Sequence, residues 1–310
     1  MNEYKKVSLG VFPTPVQRLN NTSRALGADV YVKRDDMTGL GLGGNKVRKL
    51  EYLLADAQAQ GAHVVFTTGG AQSNHAMLTA AAARKLGMTP ILILKRCGVT
   101  ERRGNQLLEH LMGVDVRFMD TDSYEDIYRE MDRVGRELGV PYYKIPCGGS
   151  NALGTLGYVD CVREIAQQGL RFQHIICAEG SGGTMAGLTL GAKLYMPEAR
   201  VTGMMVDTDP FEEITVRLTR EAAALLGTDV RITADDFALR DLCGPGYAIP
   251  SEEGNAAVRF MAEQEGLFLD PVYTGKAFAG LIAMAKEGAF APGERVLFLH
   301  SGGAGGLFAL

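Results

Sequence analysis

The chain has 310 residues, enough for one large domain or two of ordinary size, and its 46% hydrophobic and 22% charged residues are typical of globular proteins. A net charge of −4 at pH 7, without any long run of Lys or Arg, excludes the basic surface that nucleic acid or an anionic membrane requires. Residues 1–10 lack a signal-peptide core and no stretch reaches ~20 apolar residues, so we expect a cytoplasmic protein.

The cysteines and histidines exclude further classes of chemistry. Five cysteines include no Cys-x-x-Cys pair, which argues against a disulfide framework or a zinc site and predicts free thiols. The five histidines show no metal-ligand spacing, so we expect no bound metal. A Gly-x-Ser-x-Gly motif is also missing, and serine-esterase chemistry is therefore unsupported.

Short apolar runs rich in β-branched residues alternate with segments of helical periodicity. This alternation predicts an α/β fold in which helices flank mostly parallel sheets. In chain order, the predicted strands are residues 30–33, 64–68, 91–94, 114–119, 142–145, 175–178, 201–206 and 296–299. Helical periodicity is clearest over residues 47–60, 74–86, 124–138 and 184–195.

Eight strands are many for a sheet with a single crevice. Residues 145–157, which are rich in glycine and serine, are interpreted as a loop that crosses between two lobes. We therefore expect two lobes that face each other, each an open, twisted, mostly parallel sheet covered by helices.

The first segment with chemical meaning is a glycine-rich approach that places Lys46 at or near the first turn of a helix. A cation is disfavoured at a helix N-terminus, which suggests that Lys46 is uncharged, as an imine is, or lies beside an anion. Lys49, one turn later on the same face, could supply the compensating charge. An ordinary surface lysine is the alternative. The segment is not a P-loop, because Asn45 separates Gly44 from Lys46.

The second segment, residues 68–75, also follows a strand and opens a helix. Backbone N–H groups from Ser73 onward could bind a substrate carboxylate. Ser73 or Asn74 could equally be a plain helix N-cap. By its own pattern His75 is interpreted as structural, although it is included in the predicted substrate-binding set.

The third segment, residues 180–184, has the sequence Gly-Ser-Gly-Gly-Thr between a strand and a helix. Glycines let backbone N–H groups approach an anion, the helix N-terminus adds its dipole, and the two hydroxyls can donate as well. These features predict a phosphate-binding loop, with a simple tight turn as the alternative. The G-x-G-x-x-G dinucleotide pattern is excluded because Met185 replaces its third glycine.

Four segments, taken together and in this order, resemble the family of D-cysteine desulfhydrase and 1-aminocyclopropane-1-carboxylate (ACC) deaminase. They are residues 43–52 (GGNKVRKLEY), 69–75 (GGAQSNH), 180–184 (GSGGT) and 270–276 (DPVYTGK). The likeness runs from Phe12 to Gly303. It implies the tryptophan-synthase-β type of fold for pyridoxal 5'-phosphate (PLP) enzymes, called fold type II. Residues 1–45 with 155–310 would form the large PLP-binding lobe, and residues 46–154 the small one.

The resemblance also implies roles for individual residues. Lys46 matches the lysine that forms an imine with PLP, and Asn74 matches the partner of the cofactor's phenolic oxygen. Ser73, Tyr247 and Tyr273 match active-site hydroxyls near the substrate, so the predicted catalytic residues are these three and Lys46. The predicted cofactor-binding residues are Lys46, Lys49, Asn74, Gly180, Ser181, Gly182, Gly183, Thr184, Thr274 and Ser301, and the predicted substrate-binding residues are Ser73, Asn74, His75, Tyr247 and Tyr273.

Two positions distinguish the family's two activities. ACC deaminases carry glutamate where this chain has Thr274, and leucine where it has Ser301. A carboxylate beside the pyridine nitrogen keeps the nitrogen protonated and makes the ring a strong electron acceptor. A neutral hydroxyl at the same place makes the ring a weaker electron acceptor. Expelling a β-thiolate needs less help than opening a cyclopropane, which favours the desulfhydrase. One departure from the family is Ala304-Gly305-Gly306, where relatives often have Ala-Pro-Ala.

The sequence therefore predicts a PLP-dependent α,β-elimination on a small amino acid, with D-cysteine giving pyruvate, hydrogen sulfide and ammonia. Alternatives within the enzyme class are ACC deamination and elimination from cysteate, 2,3-diaminopropionate, chloroalanine or D-serine. The alternative outside it is a non-catalytic phosphate- or nucleotide-binding module. The resemblance to the family also implies that the protein is a homodimer. The enantiomer of the substrate stays open.

Overall fold

The computed structural model describes residues 1–309, in which ten strands form two sheets. The strands are β1 (Val16–Arg18), β2 (Asp29–Arg34), β3 (Val64–Thr67), β4 (Thr89–Lys95), β5 (Asp115–Met119), β6 (Tyr142–Lys144), β7 (His174–Glu179), β8 (Arg200–Met205), β9 (Phe237–Asp241) and β10 (Arg295–His300). The larger sheet has the order β1-β2-β10-β7-β8-β9, and the smaller has the order β5-β4-β3-β6. Among the strand pairs of residues 1–309, only β1–β2 is antiparallel.

Helices connect the strands and cover both sheets. They are α1 (Asn20–Leu26), α2 (Lys46–Ala59), α3 (Asn74–Lys85), α4 (Gly104–Leu111), α5 (Tyr124–Leu138), α6 (Ala152–Gln167), α7 (Gly183–Tyr195), α8 (Phe211–Leu226), α9 (Glu252–Glu265), α10 (Thr274–Lys286) and α11 (Ala304–Leu307). Within residues 1–309, none of them has both the length and the apolar character that crossing a membrane needs.

Alternate residues of the central strands pack against different helix layers. In β10, Leu297 and Leu299 join the core beneath α6 and α7, whereas Val296 and Phe298 join the core beneath α9 and α10. Both sets are almost fully buried, as expected for a parallel strand covered on its two faces. The smaller sheet is likewise packed between α2 and α3 on one face and α5 on the other.

The structure confirms the α/β class and the eight predicted strands, and the four predicted helices agree within one residue at each end. Two strands were not predicted. β1 and β9 are short edge strands with largely exposed or half-buried residues, so they lack the apolar run that marks a central strand. The predicted lobe boundaries, at residues 45/46 and 154/155, stay a prediction.

The interpretation of residues 145–157 as a loop was wrong in its second half, because α6 begins at Ala152. The Asn151 side chain caps this helix by accepting a hydrogen bond from Gly154 N at 2.8 Å. Gly157 lies inside this helix, at a point where α6 packs tightly on α2. A β-carbon at this position would come within 2.6 Å of the Arg48 backbone, so the helix needs glycine here. A close approach of two helices thus explains a glycine that resembled a turn signal.

Candidate active site

A cavity of about 720 Å³ lies where the carboxyl ends of strands from both sheets meet. Its wall contains the segments after β3, β6, β7, β8 and β10, together with the start of α2. This is the usual place for a ligand in open α/β sheets. Ten predicted site residues line it: Lys46, Ser73, Asn74, His75, Gly180, Ser181, Thr184, Tyr247, Tyr273 and Ser301.

Lys46 is the first residue of α2, as predicted, and its half-buried ammonium group faces the cavity. Burial lowers the pKa of Lys46 to about 8, although Cys147, Glu179 and Asp270 attract its charged form. Nζ donates to Asn45 Oδ1 at 3.1 Å, and Asn45 Nδ2 donates to Thr184 Oγ1 at 3.0 Å. The amine is therefore held beside the 180–184 loop and is largely neutral above pH 8.

Lys49 is fully buried, one turn further along α2. Its Nζ donates to the Gly148 carbonyl and to Ser150 Oγ, both at 3.1 Å. Burial, together with repulsion by Lys46, holds the pKa of Lys49 well below its usual value. Among residues 1–309, neither lysine has a carboxylate within ion-pair distance.

The 180–184 loop joins β7 to α7 and lies against Lys49. Ser150 Oγ accepts from Gly183 N at 3.2 Å and donates to Ser181 Oγ at 3.0 Å, which links the loop to the lysine. A β-carbon on Gly183 would lie 2.7 Å from Ser150 Oγ and 2.9 Å from Lys49 Nζ. Glycine therefore lets the loop lie close to the hydroxyl and amine donors of Ser150 and Lys49.

Glu179, directly before the loop, was not singled out from the sequence. Its Oε1 accepts hydrogen bonds from Ser181 N, at 3.0 Å, and from Gly182 N. Its Oε2 is buried without a hydrogen-bond partner among the described residues. Burial raises the pKa of Glu179, against the favourable effect of the two backbone amides and Lys49.

The second predicted segment forms the start of α3. Ser73 is its N-cap, with Oγ accepting from Ala76 N at 3.2 Å, and its hydroxyl also lines the cavity. Asn74 Oδ1 accepts a hydrogen bond from Asn105 Nδ2 at 2.7 Å. This contact fixes the orientation of the Asn74 amide and leaves its nitrogen as a donor for a ligand. Asn105 lies on α4 and was not predicted, because the sequence contains no local signal for it.

His75 has a fixed and neutral imidazole. Thr67 Oγ1 donates to the Ile145 carbonyl at 2.9 Å, so His75 Nε2 must donate the 2.8 Å hydrogen bond that joins it to Thr67 Oγ1. Burial and the nearby Lys46 hold the pKa of His75 well below its usual value. These contacts fit the structural interpretation of His75, and its ring also borders the cavity.

Tyr247 and Tyr273 meet at the cavity wall, with 2.6 Å between their hydroxyl oxygens. One hydroxyl donates to the other, so a single hydrogen remains for a ligand. Burial raises the pKa of both phenols, which keeps them protonated at neutral pH. The pair can therefore offer one hydrogen bond to a ligand.

Thr274 and Ser301 differ in their access to the cavity. Thr274 is fully buried, and its Oγ1 donates to Asp270 Oδ1 and accepts from Asp270 N, both at 2.7 Å. Ser301 lines the cavity, while its carbonyl accepts from Asn45 N at 3.0 Å. The structure thus brings Ser301, but not Thr274, into the wall beside the other predicted residues.

Comparisons with known proteins give the family of the chain. A family model described as "Pyridoxal-phosphate dependent enzyme" matches residues 7–302. The chain belongs to this family. A Pyrococcus horikoshii protein provisionally named 1-aminocyclopropane-1-carboxylate deaminase is 46% identical, over 99% of this chain and 94% of the relative. D-cysteine desulfhydrase from Klebsiella pneumoniae is 40% identical, over 100% and 97%. A crystal structure titled as an ACC deaminase homologue superposes with a TM-score of 0.92, at 44% identity, covering 99% of this chain and 94% of that one.

PLP is the cofactor of this family, and the chain has the fold of type II PLP enzymes. The residues of the cavity fit this cofactor. The primary amine of Lys46 can react with an aldehyde, and the loop at Gly183 lies beside hydroxyl and amine donors of the kind that a phosphoryl group requires.

Proposed function

We propose that the protein eliminates the β-thiol of D-cysteine, which with water gives pyruvate, hydrogen sulfide and ammonia. The observation that carries this proposal is the environment of Thr274, at the position where the resemblance places glutamate in ACC deaminases. Its hydroxyl is neutral, buried and hydrogen-bonded to Asp270, so position 274 contributes no carboxylate to the cavity, and the Asp270 carboxylate that lines the cavity accepts this hydrogen bond. That chemistry suits loss of a thiolate better than opening of a cyclopropane.

PLP, when bound, supplies the pyridine ring that accepts the electrons of the substrate's α-carbon–hydrogen bond. In our proposal Lys46 is the attachment point for its aldehyde. Lys49, Ser150 and the 180–184 loop bind its phosphoryl group, and Asn74 donates to its phenolic oxygen. Ser301 faces its pyridine nitrogen, in preference to Thr274, because only Ser301 lines the cavity.

The protein's own groups would move two protons. The neutral amine of Lys46, favoured by its lowered pKa, or the hydroxyl of Ser73 removes the α-proton. The Tyr247–Tyr273 pair retains its protons at neutral pH and donates one to the departing sulfur. Backbone N–H groups of the first turn of α3 bind the substrate carboxylate, since such groups lack partners within a helix.

A product assay tests the proposal. Sulfide and pyruvate are measured with D- and L-cysteine, chloroalanine, serine, cysteate and 2,3-diaminopropionate, with Lys46→Ala as the control. We expect sulfide and pyruvate from D-cysteine and none from the control. Absence of product across this panel, in a protein that holds PLP, would contradict elimination as the activity.

ACC deamination is the second candidate, because relatives with that name are among the most similar proteins. Formation of 2-oxobutyrate from ACC in place of pyruvate from D-cysteine would favour it. A protein that shows no visible absorption band with PLP would instead support a non-catalytic phosphate-binding module. Reduction with borohydride followed by peptide mass spectrometry checks that the cofactor is attached to Lys46.

A homodimer is a further part of the proposal, and the family resemblance supports it. Sedimentation velocity of the PLP-bound protein measures the oligomeric state directly.

A further inference from the structure

The loop that faces Lys49 already contains an anion of the protein itself. The Glu179 side chain is 1% exposed, and its carboxylate accepts from two backbone amides of the loop, those of Ser181 and Gly182. Its second oxygen, Oε2, is enclosed without a hydrogen-bond partner among residues 1–309. A buried carboxylate with a free oxygen, at the N-terminal end of a 13-residue helix, occupies donors that an incoming phosphoryl group would use.

The groups around Glu179 do not neutralise it fully. Lys46 and Lys49 face it from α2, Cys177 lies on the same side of β7, and the loop contributes the two amides. Gly203 on β8, which lies beside the Glu179 side chain, adds no charge. Both lysines are themselves weakened as cations by burial. A phosphoryl dianion placed against Lys49 would therefore meet a second negative charge in the same low-dielectric region.

We propose that Glu179 competes with the phosphoryl group of PLP for the 180–184 loop, and that binding of the cofactor is coupled to uptake of a proton by Glu179. Protonation removes the repulsion and frees the loop amides for the phosphoryl oxygens. This inference rests on the phosphoryl-binding role given to the loop in the proposed function.

The direction of the pH effect follows from the charge of Glu179. Burial raises its pKa, so the carboxyl is neutral in acid and becomes an anionic competitor as pH rises. Affinity for PLP should therefore fall on the alkaline side. A Glu179→Gln variant keeps the size and the hydrogen-bond acceptor but cannot become charged, so its affinity should lose this part of the pH dependence.

The experiment measures PLP binding to the cofactor-free protein by absorbance and by calorimetry in two buffers of different ionisation enthalpy. At about pH 8 we expect Glu179→Gln to bind PLP roughly tenfold more tightly than the wild type, with smaller proton uptake. In mild acid the two should bind alike. Pyridoxal, which lacks the phosphoryl group, serves as the control ligand and should bind both proteins equally.

A second variant and a second probe guard against a local folding defect. Glu179→Ser shortens the side chain and should tighten PLP binding in the same direction, and inorganic phosphate should raise the melting temperature of both variants more than that of the wild type. Equal PLP affinity and equal proton uptake in wild type and both variants would overturn the inference. Weaker binding by the variants would also overturn it, because Glu179 would then be a ligand. Failure of the proposed function is distinguishable: without PLP binding no protein would form the absorption band, whereas a different substrate would leave these PLP affinities unchanged.

Discussion

Helix α2 carries two kinds of cation, which differ in whether a carboxylate lies close to them. Arg48 is 4% exposed and is matched on every side, with Asp35 at 2.8 Å, Glu164 at 2.9 Å and the Phe12 ring 4.5 Å from its guanidinium carbon. Lys33 adds a further ion pair to Glu164. This network fixes the position of α2 against β2 and α6.

Lys46 and Lys49 flank Arg48 in the sequence, yet among the described residues neither has an ion-pair partner. Burial lowers the pKa of both, whereas the pKa of Arg48 is raised well above its usual value by Asp35 and Glu164 despite burial. This difference separates a charge that stabilises the fold from charges that are available to bind a ligand. A buried cation that is fully paired holds the helix, and one that is left unpaired is available for chemistry.

The largest expected effect is on the paired cation. Replacing Arg48 with Met leaves Asp35 and part of Glu164 buried without compensation, so we expect the free energy of unfolding to fall by about 3–5 kcal/mol. Urea denaturation of the cofactor-free protein measures it. A loss below about 1 kcal/mol would break the comparison, because the network would then not determine the stability of α2.

The second effect is the pH dependence of the proposed cofactor attachment at Lys46. Only the neutral amine attacks an aldehyde, and with a pKa of about 8 its neutral fraction rises roughly fiftyfold between pH 6 and pH 8. Attachment of pyridoxal, followed by absorbance, should accelerate over this range and level off above it. A rate that still rises steeply toward pH 10, as for an exposed lysine, would contradict the lowered pKa.

Removing an unpaired cation should have the opposite sign. Lys46→Met relieves the cost of burying an ammonium group, and we expect the cofactor-free protein to gain about 1–2 kcal/mol at pH 7. Above about pH 10 this gain should disappear, because the lysine is then neutral in the folded protein and increasingly so in the unfolded one. Melting temperatures at both pH values, with Arg48→Met as the matched comparison, check the sign.

The smallest effect concerns the hydroxyl that links Lys49 to the loop. Ser150→Ala removes the acceptor for Gly183 N and for Lys49, and the loss of about one hydrogen bond should weaken PLP binding roughly three- to tenfold. Fluorescence titration of the cofactor-free protein measures it. Ser123→Ala, at the N-cap of α5 and outside the cavity wall, is a control that should leave the affinity unchanged.

Local patterns predicted much of the fold and part of the site. Lys46, Ser73 and the 180–184 loop were found because glycine-rich turns at the ends of strands are short-range signals. Asn105 and Ser150 were not found, because their contacts depend on packing between distant segments. Asn105 meets Asn74 across 31 residues, and Ser150 meets Lys49 across 101.

Glu179 shows a different limit of sequence reasoning. It stands directly before the predicted phosphate-binding loop, but a glutamate at the end of a strand gives no indication that its side chain turns back onto the loop amides. The same holds for residues 145–157, where glycine for close packing and glycine for a turn are identical in sequence.

The Ser150 hydroxyl, just before α6, hydrogen-bonds to Lys49 of α2 and to Gly183 at the start of α7. One serine oxygen thus connects three segments of the chain, which follow strands of both sheets. A ligand bound at this junction contacts all three at once, and its binding free energy adds to the cohesion between the two halves of the molecule. Cofactor binding and thermal stability of the protein then rise together. In a cell short of cofactor the enzyme would melt at a lower temperature, and in a cell with ample cofactor it would be protected from proteolysis.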